Sequence, residues 1–133
     1  MASDPSSLRN SSDRISFVKR RTDIEAGRAA LARFAAGEEL PKKDFQTAVR
    51  YTLEEFAVRH PGGAVEIRVP WIGAVQAIQG LHHRRGTPPN VVELDGESWL
   101  HLVLTGSAPD PSKISYSGTR ADLRQYLPLR HIC

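Results

Sequence analysis

The hydrophobic spacing of this chain changes from a helical period to a strand period around residues 61–63, and this change strongly constrains the fold. Before it, residues 41–59 place apolar side chains three or four positions apart, which is the spacing of one helix face. After it, Val65, Ile67 and Val69 alternate with charged residues, which indicates a strand with one buried face. A chain with both periods must pack helices against a sheet, so we expect an α+β fold.

Four helices are predicted from apolar spacing and from residues that cap or end helices. Thr22 and Glu25 form a capping box at the start of the first helix, and Gly37 ends it. The other helices are expected over residues 41–59, from a cap at Asp95 to about Leu104, and from a cap at Thr119 over about residues 120–126.

Four strands are predicted between these helices, and the first two form a hairpin. They cover residues 65–69, 74–80, 91–94 and 113–117. The sequence leaves open which face the returning strand buries, either Ala74, Gln76 and Ile78 or Val75, Ala77 and Gln79.

A length of 133 residues corresponds to about one domain. We expect a disordered basic tail over residues 1–21, a folded domain over residues 22–129 and a short C-terminal tail over residues 130–133. No apolar run approaches the ~20 residues of a membrane span. The single cysteine, Cys133, excludes an internal disulfide and suits a reducing cytoplasm, so we expect a cytoplasmic protein.

The basic balance of the chain, a formal charge of +3 and a pI near 9.4, raises the question of nucleic-acid binding. Most of the excess lies in the predicted tail and in the pairs Lys42-Lys43 and Arg84-Arg85, not along one stripe. The sequence also lacks the basic and aromatic interleaving of an RNA-binding sheet. Nucleic acid is therefore not the expected partner.

Several segments resemble the bacterial sterol-carrier-protein-like family, a relative of the sterol carrier protein 2 domain. The most specific of these is Arg-Gly-Thr-Pro-Pro-Asn at residues 85–90, and residues 49–55, 65–70 and 117–123 also match. The resemblance covers about residues 22–129. It implies a single domain with a mostly antiparallel, five-stranded sheet covered by helices on one face. It also implies an apolar cavity between sheet and helices that takes fatty acids, fatty acyl-CoA or sterols, with no cofactor and no catalytic residue.

One segment departs from that family. Similar sequences place a further helix between the position of Gly106 and the last strand, whereas residues 107–112 are too short and too rich in proline for one. A side of the cavity is therefore missing or supplied differently, and an apolar face is left free for a second subunit.

The sequence offers no catalytic or metal-binding constellation. His82 and His83 are neighbours, and neighbouring strand residues point to opposite faces, so they do not hold one metal ion together. Cys133 ends the short C-terminal tail, where we expect nothing to orient a base toward its thiol. We expect a protein that is not an enzyme and that needs no metal or cofactor.

Residues 84–93 are the polar segment most suited to contact a ligand. Arg85, Thr87 and Asn90 form a rim for the anionic head of a lipid. The alternative is internal, with Arg85 paired to Glu93 to fix the loop.

Apolar candidates for the ligand site follow from their size and position. Trp71 and Ile72, at the hairpin turn, are expected at a cavity mouth or a partner contact. The other candidates, for which sequence does not separate a pocket from plain core, are Val75, Trp99, Val103, Leu123 and Tyr126.

These observations predict a binding or carrier protein for an apolar or amphipathic small molecule such as a fatty acid, acyl-CoA or sterol-like lipid. The alternative is an interaction module, related to domains of thiol-dependent isomerase-like enzymes, that acts as a homodimer or in trans on another protein.

Overall fold

The computed structural model describes residues 20–80, 90–118 and 122–133. The α-helices of these ranges, labelled α1 to α3, are Ile24–Ala35, Lys42–Arg59 and Gly96–Thr105. The strands, labelled β1 to β4, are Val65–Val69, Gly73–Ala77, Asn90–Glu93 and Ser115–Ser117. Two short 3-10 helices cover Pro111–Lys113 and Arg124–Tyr126.

The four strands form one mixed sheet in the order β2-β1-β3-β4. The central strands β1 and β3 are parallel, whereas β1–β2 and β3–β4 are antiparallel. The α+β class is confirmed, but within the described ranges the sheet has four strands instead of the five that the resemblance implied. The central pair is parallel because β3 returns to the free edge of β1 and does not extend the hairpin beyond β2.

One face of the sheet is buried against the helices. Strand β1 turns Val65, Ile67 and Val69 toward that face, and all three side chains are buried. Val75 lies opposite Ile67 across the hairpin, so β2 turns Val75 and Ala77 to the same face. Within β2 this pairing favours Val75 and Ala77 of the second set. The strand ends at Ala77, and beyond it Ile78 is buried whereas Gln79 is exposed.

Side chains fill the layer between helices and sheet. Trp99 is fully buried on α3, and its indole N–H donates to the hydroxyl of Thr52 on α2 over 2.8 Å. The ring of Phe56 meets that indole edge-on, with 5.7 Å between ring centroids. Other large side chains with at most 1% of their surface exposed pack in the same core, namely Leu31, Val49, Leu53, Val65, Ile67, Val69, Val92, Leu100 and Val103.

The predicted cap of the first helix is wrong by one residue. Asp23 caps α1, with its Oδ2 accepting from the N–H of Ala26 over 3.0 Å. The hydroxyl of Thr22 instead donates to Glu54 on α2 over 3.1 Å. A carboxylate is as good a cap as a hydroxyl, and the contact with α2 decides which residue takes the role.

The other helix ends agree more closely with the sequence. Asp95 caps α3 as predicted, with its Oδ1 accepting from the N–H of Ser98 over 2.7 Å. Gly106 ends that helix in the left-handed conformation, with φ of 82°. Pro41 precedes the first turn of α2 as its N-cap.

The C-terminal segment differs from the predicted fourth helix. Thr119 lies outside the described residues, and over residues 122–133 the helical structure is limited to the 3-10 helix Arg124–Tyr126. The carboxylate of Asp122 accepts from the N–H of Arg124 over 2.9 Å, a local turn that competes with helix formation. The last predicted strand also begins later, at Ser115, because Asp110 caps a 3-10 turn over Pro111–Lys113.

Of the predicted tail, residues 1–19 lie outside the described ranges. Its last two residues contact α2. Arg20 forms an ion pair with Glu55 over 2.7 Å, and the backbone N–H of Arg21 donates to Glu54 over 3.3 Å.

Candidate functional site

A cleft of about 730 Å³ opens at one end of the sheet. Strands β1 and β3 run parallel, so their carboxyl ends, Val69 and Glu93, lie at the same end. The starts of α2 and α3 and the segment before β4 come to that end as well. The cleft therefore gathers segments that are far apart in sequence, and its volume is in the range of small-molecule sites.

Large apolar side chains form much of the cleft. Pro70, Trp71 and Ile72 come from the turn between β1 and β2, Phe45 comes from the first turn of α2, and Leu94 directly follows β3. Polar and small residues complete the lining, namely Lys42, Gln46, Glu93, Asp95, Gly96, Lys113 and Ser115. An apolar surface with a few polar groups at its edge suits an amphipathic molecule.

Trp71 projects into solvent beside this cleft with 98% of its surface exposed. The N–H of Ile72 donates to the carbonyl of Val69 over 3.0 Å, which closes a four-residue turn. Pro70 holds the second position of this turn and Trp71 the third, with φ of +71°. Glycine or asparagine usually occupies a third turn position with positive φ. A tryptophan there strains the backbone by roughly 1–2 kcal/mol, and the turn directs its bulky side chain outward.

A contact from α2 fixes this turn. The guanidinium Nε of Arg50 donates to the carbonyl oxygen of Ile72 over 3.2 Å. Arg50 itself is exposed on the helix. The turn is therefore attached to the helix layer and does not depend on the hairpin alone.

The opposite side of the cleft depends on Gly96, the first residue of α3. A Cβ atom at Gly96 would lie 2.6 Å from the ring of Phe45. The missing side chain lets this ring lie over the start of α3. Phe45 also packs against Phe34 of α1, with 6.1 Å between ring centroids.

The charges of the cleft are mixed. Lys42 and Lys113 are exposed cations, and neither forms an ion pair with another residue of the described ranges. Glu93 and Asp95 are the carboxylates, and Asp95 is held by its role as the cap of α3. The two lysines are the groups available to an anionic ligand.

A second, shallower cleft of about 550 Å³ lies next to the first. It shares Pro70, Trp71, Ile72 and Glu93 with the first, and Arg68 adds a charged side. Arg68 pairs with Glu66 over 2.7 Å on the same strand. Trp71 thus stands between an apolar cleft and a more polar one.

Of the predicted site residues that the structure describes, Trp71 and Ile72 line the first cleft. Val75, Trp99, Val103 and Leu123 pack in or against the core. Tyr126 places its ring 4.9 Å from that of His60 and 6.2 Å from that of Phe56. The residues of this second group do not line the first cleft, and a role in binding stays a prediction for them.

Of the predicted polar rim of Arg85, Thr87 and Asn90, the structure describes Asn90. Asn90 is buried, and its amide nitrogen donates to the carbonyl of Ala64 over 2.8 Å, which joins β3 to the segment before β1. Arg85 and Thr87 lie outside the described residues, so the predicted pair of Arg85 with Glu93 stays a prediction; Glu93 itself lines both clefts.

Sequence reasoning missed most of the cleft lining. Phe45, Lys42, Leu94 and Lys113 line the cleft but are not among the ligand contacts that the sequence predicts. The signal that would have found them is the parallel pairing of β1 and β3, because it places both carboxyl ends and the following segments together. Alternation along single strands does not reveal that pairing.

Two titratable groups away from the cleft, His60 and Cys133, have pKa values that are shifted by burial. Burial, and then the charge of Arg59, lowers the pKa of His60. Partial burial of its thiol raises the pKa of Cys133, although the residue as a whole is exposed. In the described ranges, no group of three or more His, Cys, Asp or Glu side chains is placed to hold a metal ion. Nor does any helix there combine the length and hydropathy needed to cross a bilayer.

Comparison with known proteins gave one family match. A family model described as "Bacterial SCP ortholog" matches residues 41–129, about two-thirds of the chain. No curated protein matched the sequence. The matched range runs from the start of α2 to Leu129 and includes every residue that lines the two clefts.

Proposed function

Because this chain belongs to the bacterial SCP ortholog family, we propose that it is a binding or carrier protein for an apolar or amphipathic small molecule and that it catalyses no reaction. The ligand class is a fatty acid or a similar lipid, held without a cofactor. The single cysteine, Cys133, supports the cytoplasm as its compartment.

The observation that supports this proposal most strongly is the apolar part of the 730 Å³ cleft. Phe45, Ile72 and Leu94 line it, and Trp71 stands exposed at its edge. Removing about 100 Å² of such surface from water contributes roughly 2.5 kcal/mol before the costs of association. An alkyl chain laid against these residues would supply that burial.

The lysines of the cleft favour a ligand with an anionic end. The ammonium groups of Lys42 and Lys113 are exposed and have no ion-pair partner among the described residues, so a carboxylate can approach them. Glu93 opposes this preference. We therefore expect laurate to bind more tightly than 1-dodecanol, with the difference reduced by added salt.

The test uses the two tryptophans of the chain as internal probes. Trp71 is exposed and Trp99 fully buried, so acrylamide quenches mainly Trp71 in the free protein. Titration with saturated fatty acids from octanoate to palmitate is expected to shift the emission to shorter wavelength and to protect Trp71 from quenching. Calorimetry of the same titration supplies the affinity independently.

A matched pair of variants locates the binding. Ile72→Ser changes the cleft, whereas Ile24→Ser makes the same change at an exposed position of α1. We expect Ile72→Ser to weaken laurate binding roughly tenfold, about 1.4 kcal/mol, and Ile24→Ser to leave it unchanged. Folded protein that shows neither heat nor protection of Trp71 with any chain length would contradict the proposed function.

A further inference from the structure

The turn that carries Trp71 has more exposed apolar surface than a soluble ligand in the cleft explains. Trp71 keeps 98% of its surface exposed at a positive φ that a glycine would adopt without strain. Pro70 beside it is also exposed. Because backbone strain holds this bulky side chain in solvent, we infer that the side chain contacts another molecule.

The chemistry of tryptophan narrows the partner. Its ring is apolar and its indole N–H is a donor, which suits the boundary between lipid headgroups and acyl chains. Trp71 lies at the edge of the apolar cleft, so a bilayer that receives this ring also meets the cleft opening.

Cations surround the turn. Lys42 and Lys113 line the adjoining cleft, and Arg50 contacts the carbonyl of Ile72. None of the three has an ion-pair partner among the described residues. Against them stand Glu93 and the capping carboxylate Asp95, so the uncompensated charge around the turn is positive.

We propose that the Trp71 turn, residues 69–72, docks on an anionic lipid bilayer, with the indole in the headgroup region and Lys42, Arg50 and Lys113 facing the lipid phosphates. The inference rests on the proposed function, because a carrier of an apolar ligand must exchange it with a membrane. Docking at this turn places the cleft opening against the source of that ligand.

The experiment measures sedimentation of the full chain with vesicles of phosphatidylcholine, with and without phosphatidylglycerol. Vesicles containing phosphatidylglycerol are expected to bind the protein, and binding is expected to fall as salt rises from about 0.05 M to about 0.5 M. Lipids brominated near the headgroup are expected to quench Trp71 and to leave the buried Trp99 unquenched.

Three variants test whether the Trp71 turn, and not another surface of the protein, makes the membrane contact. Trp71→Ala is expected to abolish vesicle binding, whereas Tyr116→Ala, which changes an aromatic residue 54% exposed on β4, retains it. Glu93→Gln removes the opposing charge and is expected to strengthen binding to anionic vesicles about fivefold. The gain with Glu93→Gln cannot be produced by a protein that fails to fold.

Several outcomes overturn the proposal. Vesicle binding that persists in Trp71→Ala assigns the contact to another surface. A dimer that shields Trp71 from acrylamide in lipid-free buffer assigns the turn to a second copy of the chain. Protein that binds laurate but no vesicle refutes docking alone, whereas protein that binds vesicles but no fatty acid refutes the carrier function alone.

Discussion

Trp71 and Trp99 are the same residue type in opposite surroundings, and the difference arises from the backbone. Trp99 follows a cap at Asp95 and lies on the buried face of α3, at the position that helical spacing predicts. Trp71 lies at the third position of a turn, where a positive φ directs it away from the sheet. The sequence showed that Trp71 was unusual at a turn, but the positive φ depends on the hydrogen bond between Ile72 and Val69.

The buried hydrogen bond between Trp99 and Thr52 gives a test at the residue scale. Thr52→Val keeps the shape of the side chain but leaves the indole N–H of Trp99 without its 2.8 Å acceptor in the core. We expect the free energy of unfolding to fall by about 1–3 kcal/mol in urea denaturation.

Thr47→Val is the matched control on the same helix. Its hydroxyl donates to the carbonyl of Lys43, one turn earlier on the same helix. A change within about 0.5 kcal/mol is expected there. Equal losses in the two variants would show that the hydrogen bond to Trp99 contributes nothing beyond a general cost of valine in α2.

At the scale of elements, helix pairing depends on Gly27, where α1 crosses α2. A Cβ atom at Gly27 would overlap the side chain of Tyr51 on α2. Helix propensity alone predicts that Gly27→Ala stabilises the protein by roughly 1 kcal/mol. We expect the opposite sign, a loss of about 1–3 kcal/mol in urea denaturation, because the methyl group separates the helices.

Ala29→Gly, at an exposed position of α1, measures the propensity contribution separately. It is expected to cost about 1 kcal/mol. A stabilised Gly27→Ala variant would mean that the two helices adjust to the methyl group without strain.

Elements with strong periodicity were predictable, and those that depend on tertiary contacts were not. The spacing of Ala48, Val49 and Leu53 predicted α2 because each contributes to one buried face. The cap of α1 was misplaced because Thr22 bonds to Glu54, a residue 32 positions away. The helix predicted over about residues 120–126 is another example. The spacing of apolar residues does not show that the carboxylate of Asp122 accepts from the N–H of Arg124, a turn that competes with helix formation.

At the scale of the whole molecule, acid stability gives a further prediction. Burial and the charge of Arg59 lower the pKa of His60 below its ordinary value of 6.5. As the pH falls below 6.5, the unfolded chain takes up this proton before the folded protein does. The free energy of unfolding therefore decreases as the pH falls from 6.5 to the pKa of His60 in the folded protein. Above pH 6.5, His60 has no effect on stability.

The measurement is the urea midpoint between about pH 7.5 and about pH 5.5. His60→Gln is expected to flatten the profile in this window. Glu55 acts in a lower window. Burial alone would raise its pKa, but the hydrogen bonds from Arg59 and Arg20 lower it below 4.5, so its contribution is lost only under stronger acid. An unchanged slope in His60→Gln would contradict the assignment.

The location of the cleft was beyond the sequence because it depends on strand order. Val69 and Glu93 meet only because β1 and β3 pair in parallel, and the segments that complete the lining, around residues 42–46 and 113–115, join them from elsewhere in the chain. The resemblance placed an apolar cavity between helices and sheet. In the described ranges that layer is filled by side chains, and the cleft lies at its end.

A ligand site between the helices and the sheet and a ligand site in the cleft predict opposite effects on laurate binding for variants of the core and variants of the cleft. Val103 is fully buried in the layer, so Val103→Ala removes packing there. We expect it to lower the free energy of unfolding by roughly 2 kcal/mol and to leave laurate affinity unchanged. Phe45→Ala is expected to weaken laurate binding about tenfold, because Phe45 forms one side of the cleft.

Calorimetric titration of both variants with laurate, below their unfolding temperatures, separates the two locations. The two substitutions remove side chains from different places, so their effects on the free energy of unfolding are not comparable. The comparison therefore uses the affinities of the two variants for laurate. A Val103→Ala protein that binds laurate more weakly than Phe45→Ala would place the ligand between the helices and the sheet, as the resemblance implied. The cleft would then serve as an entrance to that layer, since Phe45 and Val49 of α2 both lie against Gly96 of α3 where the cleft meets the core.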